Sequence, residues 1–209
     1  MNFEQFVGQC PLVAILRGLA PEEALGMGQT LVDAGFSIIE VPLNSPRPFE
    51  SISILQESLG RRALIGAGTV LSTDAVDSVA AAGGKLIVMP HCNTKVISYA
   101  KSLGLYCVPG IATPTEAFAA LDAGADALKL FPAESAAPAV VKAMLAVLPK
   151  STRILPVGGI APDTMVDYWA AGAAGFGLGS ALYKAGMSVD QVGTNAAAFI
   201  EAINVLKQS

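Results

Sequence analysis

Three charged side chains stand inside apolar runs. Arg17 closes Val-Ala-Ile-Leu-Arg, Glu40 sits within Ile-Ile-Glu-Val-Pro, and Lys129 within Ala-Leu-Lys-Leu-Phe-Pro. Burying an unpaired charge is costly, and such groups pair or shift their pKa. In a chain with only 14% charged residues, three such interruptions call for a chemical reason. A desolvated lysine loses its proton more readily and becomes a nucleophile toward carbonyls, which Arg17 nearby would reinforce. A carboxyl in an apolar pocket is raised toward neutrality and suits general acid–base work. The Arg17 fork can bind a carboxylate in bidentate fashion. The structural alternatives are a lysine that snorkels to the rim, or ion pairing among the three residues.

Two glycine-rich segments could hold an anion. They are Pro156-Val-Gly158-Gly159-Ile160 and Gly175-Phe-Gly-Leu-Gly179-Ser180. Backbone N–H groups there, with a short helix over Ser180–Tyr183, would suit a phosphate. Tight turns and close packing are the alternative use of those glycines. Gly66-Ala-Gly-Thr69 leaves room and offers a hydroxyl, while Asn44, Ser45 and Arg47 could line a mouth or cap a helix. His91, the only histidine, has no ligand cluster beside it in sequence, so no metal is expected. Cys10, Cys92 and Cys107 form no CxxC and read as reduced thiols, more often small hydrophobes than nucleophiles.

These groups need a scaffold. Continuous apolar runs at 13–17, 38–43, 64–70, 86–90, 106–112, 127–132, 154–160 and 175–181 read as strands buried on both faces. Ala-, Leu- and Val-rich segments with helical spacing lie between them. Pro21, Pro114 and Pro162 mark first helical positions, and Thr113-Pro-Thr-Glu116 reads as a capping box. Ser72 or Thr73 caps another helix, and glycines 35, 60, 83, 104, 124 and 172 read as left-handed helix stops. The resulting βα repeat, counted eight times, predicts a (β/α)8 TIM barrel over 1–209. That is one domain, with a short helix at 2–9 covering its base. An open doubly wound sheet is the competing architecture. In a barrel the three charges and both glycine segments would meet at the C-terminal ends of the strands.

Composition narrows the class. Of 209 residues, 53% are hydrophobic, which excludes disorder. No uninterrupted apolar run reaches spanning length, and the first residues lack the pattern of a secretory signal. With a net charge of −4 and scattered basic residues, neither nucleic acid nor an anionic membrane is an expected partner. A cytoplasmic enzyme is the expectation.

Leu16-Arg-Gly18, Glu40-Val-Pro-Leu-Asn-Ser-Pro46, Gly66-Ala-Gly-Thr-Val70, Leu128-Lys-Leu-Phe-Pro132, Val157-Gly-Gly159 and Gly177-Leu-Gly-Ser180 together resemble the class I, pyruvate-dependent aldolases of 2-keto-3-deoxy-6-phospho sugar acids. The resemblance covers almost the whole chain, with the motifs in the family's order. It implies that Lys129 forms an imine with the C2 ketone and that Glu40 moves protons. Arg17 and Thr69 would hold the carboxylate, and Gly158, Gly159, Gly179 and Ser180 the phosphate. Pro90 and Phe131 would line the pocket. It further implies no cofactor or metal, a phosphorylated keto-deoxy sugar acid as ligand, and a homotrimer. Asn44 and Val157 stand where the gluconate branch typically carries Arg and Thr, and so resemble the galactonate branch. The C4 epimer, or both epimers, is the nearest alternative. A metal-dependent transferase resembling thiamine-phosphate synthases, or a non-catalytic sugar-phosphate binder, lies further off.

Overall fold

The computed structural model describes residues 2–208. Its strands are β1 (Leu12–Ile15), β2 (Ile38–Pro42), β3 (Leu64–Gly68), β4 (Leu86–Val88), β5 (Tyr106–Val108), β6 (Gly110–Ile111), β7 (Leu128–Leu130), β8 (Ile154–Pro156) and β9 (Phe176–Leu178). Helix α1 (Phe3–Gln9) precedes them. Helices α2 (Pro21–Ala34), α3 (Pro48–Leu59), α4 (Thr73–Ala81), α5 (Thr94–Ser102), α6 (Pro114–Asp122), α7 (Pro138–Leu145), α8 (Met165–Ala170) and α9 (Val189–Gln208) alternate with the strands. Every strand pairing is parallel. One sheet has the order β5-β4-β3-β2-β1-β9 and the other β6-β7-β8. Pro109 alone separates β5 from β6, and a parallel bridge joins Val157 to Gly177 at the other junction of the two sheets.

All eight expected strand positions are occupied, each shorter at its C-terminal end than the apolar run. There the chain leaves the ladder to build loops. The run at 106–112 is split at Pro109, which has no N–H to give to a ladder. Its carbonyl still accepts the Lys129 N–H at 2.8 Å.

The strands bury both faces, which is why their sequences do not alternate in polarity. Ile39, Val41, Ala67, Leu128 and Leu130 pack outward with the helices. Val13, Ile38, Leu64, Val108 and Leu155 turn to the inner face, against Phe3, Phe6 and Val7 of α1. Side chains alternate along a strand, so Glu40 between Ile39 and Val41, and Lys129 between Leu128 and Leu130, both point inward. Helix α1 is fixed by a capping box between Asn2 and Gln5 and plugs the inner face. Burying each of its phenylalanines contributes roughly 1.5–3 kcal/mol.

The helix ends follow the sequence signals with two exceptions. Ser72 caps α4 and the Thr113–Glu116 box caps α6. Pro21 and Pro114 open their helices, but Pro162 lies in a turn ahead of α8, whose entry is set by Thr164 bonding to Ala161. Five of the six glycine stops have positive φ; Gly60, at φ −62°, remains right-handed. Its N–H is satisfied by Gln56 O at 3.0 Å without a left-handed cap.

Candidate active site

Glu40 and Lys129 share the inner face, and both are almost fully buried. A very small interior gap beneath them is lined by Val13, Ile15, Leu86, Val88, Val108, Leu155, Val157 and Gly177. In this apolar setting burial pushes the Glu40 carboxyl up to about 7, while the charges of Lys129 and then Arg17 pull it back. Burial likewise lowers the Lys129 pKa, opposed by Glu40 and assisted by Arg17. Its Nζ lies 4.9 Å from the Phe131 ring centroid. Glu40 Oε2 is buried without a hydrogen-bond partner. Among the described residues the ion pairs involve neither Glu40 nor Lys129. This is a carboxyl near neutrality beside a lysine that gives up its proton more readily than usual, and not a saturated structural ion pair.

Strand β3 makes space for that carboxyl. Gly66 and Gly68 sit in register with Glu40 and Pro42 of β2. A Cβ on Gly68 would collide with all three carboxylate atoms of Glu40. Thr69 follows with φ +57°, a left-handed conformation that a β-branched residue adopts only under constraint. The chain therefore turns sharply beside the buried acid.

A cleft of about 720 Å³ opens at the C-terminal ends of the strands. Of the residues singled out from sequence, it brings together Arg17, Lys129, Phe131, Val157, Gly158, Gly159, Gly179 and Ser180. Gly158 and Gly159 have φ +111° and +66°, so their backbone turns as side-chain-bearing residues rarely can. Four expected site residues lie outside the cleft lining: Glu40, which lies against the interior gap below, and Asn44, Thr69 and Pro90. Asn44 reaches the site through Arg17, whose Nη1 donates to its Oδ1 at 2.7 Å. This hydrogen bond stands where ion pairing of Arg17 with Glu40 is the structural alternative. Pro90 packs its backbone against Gly110 instead. The helix expected over Ser180–Tyr183 is a single turn, closed by the Leu182 and Tyr183 N–H groups on the Gly179 carbonyl at 2.9 and 3.0 Å.

His91 and Cys92 line a separate crevice with Glu116. Among the described residues no three His, Cys, Asp or Glu side chains gather to hold a metal ion. Burial raises all three thiols, Cys107 to about 12, which suits packing and not nucleophilic attack. Glu134 and Lys184 also line the cleft, and the sequence reading missed both. Each lies in a loop beyond a strand end, where a charge carries no signal of its own. For Glu134 the spacing of five residues after Lys129, just past Pro132, could have flagged it.

The sequence matches the family profile described as "KDPG and KHG aldolase" over residues 3–203. It is 48% identical to the 2-dehydro-3-deoxy-6-phosphogalactonate aldolase of Escherichia coli (strain K12) over 95% of this chain and 97% of that protein. It is 47% identical to a probable enzyme of the same name from Rhizobium meliloti (strain 1021), over 94% of this chain and 92% of that one. The fold superposes on a solved structure titled "Native KDPGal structure" with a TM-score of 0.95 at 47% identity, covering 96% of this chain and 98% of the other. No helix among the described residues is long and apolar enough to cross a membrane. A buried Lys–Glu pair under a cleft with two adjacent left-handed glycines, and sequence similarity along nearly the whole length, lead to one conclusion: the chain belongs to the KDPG and KHG aldolase family.

Proposed function

We propose that the protein is a class I aldolase that cleaves 2-dehydro-3-deoxy-6-phosphogalactonate to pyruvate and D-glyceraldehyde 3-phosphate. The observation that carries this reading is the buried Glu40–Lys129 pair, its pKa values drawn toward each other by burial, with Lys129 opening onto the cleft and Glu40 behind it. Lys129 attacks the C2 ketone and water leaves, giving a protonated imine. Glu40, through a water, removes the C4 hydroxyl proton. The C3–C4 bond then breaks, its electrons pass into the imine, and glyceraldehyde 3-phosphate departs from a pyruvate enamine. Glu40 returns the proton to C3, and hydrolysis frees pyruvate and Lys129. Arg17, held by Asn44, and Thr69 take the substrate carboxylate. Gly158, Gly159, Gly179 and Ser180 take the phosphate, with Phe131 lining the pocket. The imine is the electron sink, so this scheme calls for no cofactor or metal.

Around this site we read the two sheets as one closed (β/α)8 barrel. Strands β5 and β6 act as a single strand interrupted at Pro109, and the Val157–Gly177 bridge supports closure on the other side. The chain is then one domain over 1–209, working in the cytoplasm as a homotrimer.

The galactonate assignment rests on Val157 and Asn44 and on the names of the relatives. Steady-state cleavage of both C4 epimers tests it. A higher kcat/KM on the galactonate epimer is expected. Val157→Thr should move the ratio toward the gluconate epimer by up to about tenfold, the worth of one neutral hydrogen bond. Equal or reversed preference in the wild type would contradict the assignment, and an unmoved ratio in the variant would remove Val157 as selector.

A further inference from the structure

The mechanism above leaves two charged groups in the cleft without a task, Glu134 and Lys184. Glu134 lies in the short 3-10 turn Ala133–Ser135 that follows the Lys129 strand. Its side chain folds back over the glycine pair. Cβ atoms built on Gly158 and Gly159 would come within 2.8 Å of its Oε2 and 2.5 Å of its Cγ, respectively. The two glycines thus serve Glu134 as well as their own backbone angles, because side chains there would displace it. The turn that carries it is pinned. The Tyr168 hydroxyl lies within hydrogen-bond distance of the carbonyls on either side, Ala133 O at 2.9 Å and Ala136 O at 2.8 Å. Ala133 N donates to Val157 O at 2.9 Å. Among the described residues no donor or ion-pair partner occupies the Glu134 carboxylate.

A carboxylate in that place is ill suited to a phosphate, which it repels, and well suited to a hydroxyl, which donates to it. We infer that Glu134 accepts a hydrogen bond from the substrate C5 hydroxyl and so selects aldehydes that carry a hydroxyl next to the carbonyl. This inference rests on the aldolase reading. With C2 on Lys129 and the phosphate at C6 on the glycine pair, the chain between them offers hydroxyls at C4 and C5. Glu40 takes the C4 hydroxyl, which leaves C5, one bond from the phosphoester carbon, for the carboxylate beside the glycines. Lys184 lines the same cleft and offsets the charge that Glu134 places near the phosphate.

The test is condensation of pyruvate with two aldehydes, glyceraldehyde 3-phosphate and 3-phosphopropanal, which lacks the hydroxyl. The wild type should favour the hydroxyl-bearing aldehyde in kcat/KM. Glu134→Ala, and Glu134→Met, which keeps volume without an acceptor, should each lower that preference by about 10- to 100-fold, the worth of a hydrogen bond to a charged group. Most of the loss should fall on the natural aldehyde. A preference unchanged in both variants, or a gain shared equally by both aldehydes, would overturn the assignment. The second result would mean that Glu134 merely repels the phosphate. Trapping pyruvate on wild-type Lys129 with borohydride separates the two levels. An adduct with an unchanged preference removes only the role of Glu134, whereas no adduct removes the aldolase reading and this inference together.

Discussion

At the scale of the residue, the site is governed by desolvation. Burial holds Glu40 near 7, so it can exchange a proton near neutrality, and lowers Lys129, which gives up its proton more readily than an exposed lysine. The apparent values belong to the pair. Cleavage should rise as pH climbs through about 7, when Glu40 becomes a base, and Glu40→Gln should lose that limb. Exchange of pyruvate methyl protons in deuterated water should fall by about 100-fold or more in the variant, as general base catalysis is commonly worth. Unchanged exchange would reject Glu40 as the proton carrier. Stability should move the other way. A carboxyl raised in the fold binds its proton more tightly folded than unfolded, so it stabilises below its ordinary pKa and loses that contribution as pH rises through about 7. The Gln variant should therefore melt above the wild type at pH 8, with the gap closing by pH 5. Arg17, Glu40 and Lys129 were legible in the sequence because a charge inside an apolar strand is conspicuous. Glu134 and Lys184 were not, because a charge in a loop is the ordinary case and only the folded contact with Gly158 and Gly159 distinguishes Glu134.

At the scale of the element, strands β2 and β7 each turn one charged group inward, and their neighbours must leave room. Strand β3 does so for β2: Gly68 yields its Cβ space to the Glu40 carboxylate. Gly68→Ala should force that carboxylate aside. Since a displacement of about 1 Å can cost 10²-fold in rate, kcat should drop by roughly that factor. Borohydride trapping of pyruvate on Lys129 should persist, because the lysine stands on another strand. Near-normal turnover would show that Glu40 needs no such space. The eight strand positions, and the caps at Ser72 and Thr113, could be read directly because apolar runs and capping side chains act locally. The break at Pro109, the single turn at Ser180–Leu182 and the right-handed Gly60 could not. In each case the outcome depends on which backbone groups find partners across the sheet or the turn, and composition does not encode that. Pro90 and Asn44 illustrate the same limit: proximity along the chain to a strand end does not say which way a side chain or backbone faces.

At the scale of the whole molecule, alternation of parallel strands and helices gathers residues far apart in sequence at one end, while α1 fills the other. Several large apolar side chains remain exposed on the outer surface, among them Leu71, Phe118, Val147 and Val166. The proposed homotrimer would cover part of that surface. Light scattering on the purified protein should give three times the 21.3 kDa chain mass, and a mass of one or two chains would contradict it. Oligomer number is invisible in the sequence because exposed apolar groups say that something is covered, not how many copies cover it.

The central claim is that Lys129 is the imine-forming nucleophile. Incubating the protein with pyruvate and sodium borohydride, followed by intact mass and peptide mapping, tests it most directly. One reduced pyruvate adduct per chain, on Lys129 and absent from Lys129→Ala, is the predicted result. No adduct on folded protein, or an adduct on another lysine, would contradict the account.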